Sequence, residues 1–146
     1  MTRSLRLPER VERATDRALC TLRACESNTN RSGSPPLYNG RPGSITATAD
    51  VAEDPVDVYR VKVRAGRKLR LSLKPSVGDP DLFVFNSKAR DVGASAVRVS
   101  SRSGTRTDRV TVRNRGRKTT TFYAAVGFNT RKQLKLLNAS YVLRAR

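Results

Sequence analysis

No histidine occurs in the 146 residues, and its absence removes several chemistries together. A Ser-His-Asp triad, a Cys-His nucleophile pair and a His-ligated zinc all require an imidazole. Peptidase chemistry of these kinds is excluded. Paired carboxylates remain available, because glycosidases work with two of them. Asp79 and Asp81, on either side of Pro80, are the one suggestive pair. The same residues also read as turn formers whose carboxylates shape and solvate a bend. Cys20 and Cys25 cannot build a metal site by themselves. They can form one disulfide, which would suit an oxidising compartment.

The second chemical resource is positive charge. The formal net charge is +18, and Arg outnumbers Lys 23 to 7. Such a chain attracts anionic polymers, nucleic acid or membrane surfaces. The charge is spread through the strand-like segments and forms no tail. Arg60, Lys62, Arg64, Lys68, Arg70 and Lys74 alternate with apolar residues, so they are expected to project from one surface of two adjacent strands. Six clustered cations can hold phosphate, sulfate or uronate groups, with binding that weakens steeply with salt. The alternative is an Arg-rich solvated face with no specific partner. Nucleic acid fits less well: readers of single strands stack bases on aromatic side chains, and the chain has only four Tyr and four Phe.

These side chains need a scaffold, and the sequence divides into three parts. Residues 8–25 have the marks of a short amphipathic helix within a segment spanning 1–25. Pro8 suits the first helical position, Glu9 and Glu12 suit the positive end of the dipole, and Val11, Ala14, Ala18, Leu22 and Cys25 recur at helical spacing. In that helix Cys20 and Cys25 face different directions and cannot pair, so helix and disulfide compete. Residues 26–44 are rich in Ser, Asn, Gly and Pro and read as a linker. From Ile45 to Arg146 the period is two.

Strands are expected at Ile45–Asp50, Val58–Arg64, Lys68–Lys74, Leu82–Phe85, Val97–Ser100, Arg109–Arg113, Phe122–Gly127 and Ala139–Leu143. The Ala65-Gly66 turn, between two alternating runs, predicts a hairpin. Leu82–Phe85 is apolar on both faces, as in a strand covered from both sides. Phe83, Phe85, Phe122 and Tyr141 read as core. Seven or eight short strands with regular turns predict an all-β, jelly-roll-like antiparallel sandwich. No apolar run approaches the ~18 residues of a membrane span.

Several segments, in order, resemble the bacterial pre-peptidase C-terminal domain. They are Asp54-Pro55-Val56-Asp57-Val58-Tyr59-Arg60-Val61, the Ala65-Gly66 turn with Leu69, Leu71 and Leu73, and Asp79-Pro80-Asp81-Leu82-Phe83-Val84-Phe85-Asn86. Thr121-Phe122-Tyr123-Ala124-Ala125-Val126-Gly127 and Tyr141-Val142-Leu143-Arg144-Ala145 complete the pattern. The likeness covers about residues 40–146. The chain departs from it in its cationic surface, and a short helical segment is expected where the family has its peptidase domain.

The resemblance implies a non-catalytic accessory module of a secreted hydrolase, extracellular or at the cell surface. Its partners would be an extracellular polymer or protein, with a peptidase domain as a covalent neighbour. Another reading is a folding or stability appendage removed on maturation, and a third is a freestanding polyanion-binding protein. The N-terminus has no apolar core of a secretory signal, which points to a piece of a longer precursor or a misassigned start. No cofactor is required. Calcium is implied by related collagen-binding members, with Glu53, Asp54, Asp57, Asp79 and Asp81 as ligands; turn-forming acids are the competing explanation.

Overall fold

The computed structural model describes residues 36–50, 56–89, 95–127 and 138–146. The expected helix, both cysteines and most of the linker lie outside them. The described residues form nine strands: β1 (Tyr38–Asn39), β2 (Gly43–Asp50), β3 (Val56–Val63), β4 (Lys68–Val77), β5 (Asp81–Asn86), β6 (Arg98–Ser100), β7 (Asp108–Arg113), β8 (Thr120–Gly127) and β9 (Asn138–Ala145). One sheet has the order β1-β3-β8-β5-β6 and the other β2-β9-β4-β7. The architecture is the all-β sandwich expected from the period-two pattern. All eight expected strands are present. The sheets also take in Tyr38 and Asn39, which pair in parallel with Val61 and Lys62, ahead of the boundary expected at Ser44.

Only β5 and β6 are neighbours both in sequence and in one sheet. Every other link carries the chain from one sheet to the other. This corrects the expected hairpin at Ala65-Gly66. The turn is tight, with Arg67 N donating to Arg64 O at 3.1 Å, but β3 and β4 leave it into different sheets. Gly66 sits at φ +72 and Gly78, at the next crossing, at φ +78. Both are left-handed conformations that a side chain resists. At Gly78 a Cβ would also collide with the backbone carbonyl of Asn138.

Between the layers lies one core. The inward face of β3 gives Tyr59, Val61 and Val63, β4 gives Leu69, Leu71 and Leu73, β5 gives Leu82 and Val84, and β9 gives Tyr141 and Leu143. Each leucine buried here contributes about 1.5–3 kcal/mol. A second apolar cluster covers the far side of the five-stranded sheet, with Val58, Phe83, Phe85, Ala96, Tyr123 and Ala125. Burial on both faces explains the unbroken apolar run of β5. Pro75 interrupts β4 where its pairing with β7 has already ended at Leu73, so no partner strand needs its missing N–H. A register shift follows at once.

Asn114 closes the end of the sandwich where β3 turns into β4. Its side-chain nitrogen donates to Val63 O at 2.8 Å and to Lys118 O at 2.7 Å, and its Oδ1 accepts from Gly116 N at 2.9 Å. Its backbone meets the turn as well: Gly66 N donates to Asn114 O, and Asn114 N donates to Arg67 O. One buried amide therefore ties a sheet end, a crossing turn and the loop after β7. Removing it strands the Val63 carbonyl in the interior. Asn114→Ala is expected to cost about 2–3 kcal/mol in urea unfolding. Asn114→Asp, which cannot donate to either carbonyl, is expected to be at least as damaging; a near-neutral Asp variant would contradict this assignment.

Candidate polyanion-binding face

Strand parity sorts the charges of this chain. Among the described acidic side chains, Asp57, Asp81 and Asp108 are buried and Asp79 is half-buried. Every described cation except Arg60 and Lys62 is exposed. Acids point in and bases point out.

The six cations expected on one surface do not share one. Arg60 and Lys62 lie on β3 in the five-stranded sheet, partly covered, and Arg64 follows at its end. Lys68, Arg70 and Lys74 lie on the solvent face of β4 in the other sheet. The hairpin needed to unite them does not exist. What the structure adds to β4 comes from strands far away in sequence. Arg109 and Arg113 occupy the outer face of β7, and Arg144 and the following Arg146 continue the outer face of β9.

The register brings these seven residues into a grid. Lys68 stands opposite Arg113, and Ser72 lies between Arg109 on one side and Arg144 on the other. Arg70 and Arg146 form a doubly hydrogen-bonded pair, with N–H to O distances of 2.7 and 2.9 Å. Rows across the sheet are about 4.8 Å apart and alternate residues along a strand about 6.7 Å. The face also carries Ser44, Thr46, Thr48, Thr111, Ser140, the half-buried Val142 and, beyond the bulge in β4, the exposed Val77. Periodicity along one strand could reveal Lys68, Arg70 and Lys74; it could not reveal which distant strand lies beside them.

Of the acids expected to bind calcium, Asp57 and Asp81 lie on opposite faces of the five-stranded sheet. Glu53 and Asp54 lie outside the described residues. Asp57 faces the core, where the Tyr141 hydroxyl donates to its Oδ2, and the hydroxyls of Tyr59 and Tyr141 are 2.7 Å apart. Burial, with the charge and hydrogen bond of Asp57 and the neighbouring Tyr59, holds the Tyr141 hydroxyl far above the ordinary tyrosine range. It stays a donor. Asp81 shares the opposite side of the sheet with Phe83 and Phe85, and Asp79 lies toward Asp108. Among the described residues no three His, Cys, Asp or Glu stand together as a metal site.

Asp108 was not singled out by any local pattern. It is fully buried on β7, and its Oδ1 accepts from Ser100 Oγ at 2.6 Å and from Arg102 N at 2.8 Å. These contacts hold the start of β7 against the end of β6.

No family model and no curated protein sequence matches the chain. Its fold is similar to that of the pre-peptidase C-terminal domain of collagenase from Bacillus anthracis. The two share 14% identity at a TM-score of 0.53, over 80% of this chain and all of that domain. The fold is thus the one implied by the strand pattern. A looser match, at a TM-score of 0.48 and 10% identity, is PliG of Aeromonas hydrophila, a periplasmic inhibitor of g-type lysozyme; it spans 75% of this chain and 92% of that one. Among the described residues no helix is long and apolar enough to cross a membrane.

Asp108 makes stability depend on pH in a defined direction. Burial raises its pKa; the Ser100 and Arg102 hydrogen bonds oppose the rise, and the nearby Asp79 adds to it. The native state therefore holds this proton more tightly than the unfolded chain does. Its contribution to stability falls as pH rises from the ordinary aspartate range, near 4, through the raised native value. Asp108→Asn keeps the Oδ1 acceptor and removes the titration. Relative to the parent, this variant is expected to gain stability steadily in urea titrations from pH 3.5 to 7, and a pH-independent difference would contradict the assignment.

Proposed function

We propose that this chain is a non-catalytic accessory module of a secreted hydrolase, working outside the cytoplasm by adsorption to an anionic polymer or protein. The observation that carries this reading is the outer face of the β2-β9-β4-β7 sheet: seven cations, no carboxylate among its described side chains, and a hydrogen-bonded backbone beneath. A rigid cationic face keeps whatever is attached to it close to a polyanionic surface, and it needs no conformational change to do so. Two further observations support the reading. The fold is similar to that of a domain of a collagenase, and the full sequence has no histidine for the common hydrolytic constellations.

The mechanism is exchange of counterions. Each polymer anion that meets an Arg or Lys releases a condensed ion, so affinity must fall with salt on a log–log scale. The test is retention of the purified chain on immobilised heparin, polyphosphate and polyglutamate across a salt series. Retention on at least one of them is expected, with a slope of about −4 to −6 if six or more contacts form. Passage through all three at low salt would overturn adsorption and favour a stability appendage.

A further inference from the structure

We propose that the cationic face and the adjoining end of the sandwich form one continuous track for a linear polyol-phosphate polymer, a single flexible chain with a phosphodiester in every repeat. This deepens the adsorption reading above and rests on it.

The register sets like charges face to face. Lys68 faces Arg113, and Arg70 faces Arg146, as cross-strand neighbours. Like charges directly opposite one another destabilise a sheet. Among the described side chains of this face no carboxylate relieves them. A bound row of anions would.

The cationic surface is also continuous. Gly66 and Arg67 are hydrogen-bonded to Asn114, so the β3–β4 turn and the loop after β7 lie side by side. Arg64, Arg67, Arg115, Arg117 and Lys118 are all exposed there. Asn114 holds both segments. The grid therefore runs on past Lys68 and Arg113 without an intervening acid.

The side chains of the face also favour phosphate. The grid and the end loops are mostly Arg, whose planar fork matches phosphate oxygens two at a time. No aromatic side chain is among the outward residues of β2, β9, β4 and β7, so bases and sugar rings have nothing to stack on. Recognition falls to the charged backbone of the ligand and its hydroxyls. Ser44, Thr46, Ser72, Thr111 and Ser140 offer hydroxyl partners between the cations. An open sheet face meets a duplex along a narrow strip, whereas a flexible single chain can follow cations spaced about 6.7 Å along the strands.

The test compares binding of the full chain to poly(glycerol phosphate), polyglutamate, heparin and duplex DNA at equal charge and physiological salt. Poly(glycerol phosphate) is expected to bind tightest. Replacing Arg70, Arg109 and Arg144 together with Gln is expected to weaken it roughly thirtyfold or more. Removing three cations elsewhere, with Lys88→Gln, Arg98→Gln and Arg106→Gln, is expected to change it less than about threefold. An Arg-to-Lys triple at positions 70, 109 and 144 keeps the charge and is expected to weaken binding by about fivefold, through loss of the fork. All substituted positions are exposed, and an unchanged far-ultraviolet spectrum and melting curve would certify folding. Equal losses in both Gln triples, or tighter binding of duplex DNA, heparin or polyglutamate, would overturn the polyol-phosphate assignment. In the latter case adsorption itself would stand; if no polymer bound, both readings would fall.

Discussion

A one-residue slip of β4 against its neighbours would turn Leu69, Leu71 and Leu73 outward and bring Lys68, Arg70 and Lys74 into the core. Because the side-chain period of a strand is two, no intermediate register exists. This parity governs the whole molecule. It excludes charge from the interlayer space, apart from the polar contacts built there, and it gathers the positive charge on the outside. The cost of burying three unpaired cations far exceeds the stability of an ordinary domain, so the arrangement of the surface is as firmly specified as that of the core. Surface chemistry here is a by-product of core packing.

Specific polar contacts hold the layers in that register. The Tyr141 hydroxyl, on one sheet, bonds to Asp57 and lies within hydrogen-bond distance of the Tyr59 hydroxyl, both on the other. Asn114 does the same work at the end of the sandwich, and Asp108 secures the start of β7 to Ser100 and Arg102. Apolar contacts fill the interior but tolerate sliding; buried hydrogen bonds do not, because a displaced donor leaves a stranded acceptor. Two of these anchors bring together residues more than fifty positions apart, Asn114 with Val63 and Tyr141 with Asp57.

Those separations also explain what could be read from the sequence. Alternation at Leu69, Leu71 and Leu73, and the apolar run at Leu82–Phe85, are local signals, and they gave strands at the right places with the right faces. The sandwich followed from their number and spacing. Tyr141 was legible as core, though not as the donor to Asp57, whose carboxylate looked like a turn acid or a metal ligand. The turn at Ala65-Gly66 was visible, but its φ requirement is the same whether the chain returns to its own sheet or crosses to another. That ambiguity misplaced half of the expected cationic surface. Arg109, Arg113, Arg144 and Arg146 escaped notice because only pairing between remote strands sets them beside Lys68 and Arg70.

The edges of the sandwich carry a further consequence. The five-stranded sheet ends in β1, of two residues, and β6, of three. The four-stranded sheet ends on one side in β7, flanked outward by Arg109 and Arg113. Short strands offer a second copy little backbone to pair with, and a positively charged edge repels an identical one. Sheet-to-sheet growth, the usual route by which β proteins associate into aggregates, is therefore blocked at three of the four edges. Among the described strands, the one long edge that a second copy could pair with is β2, eight residues from Gly43 to Asp50.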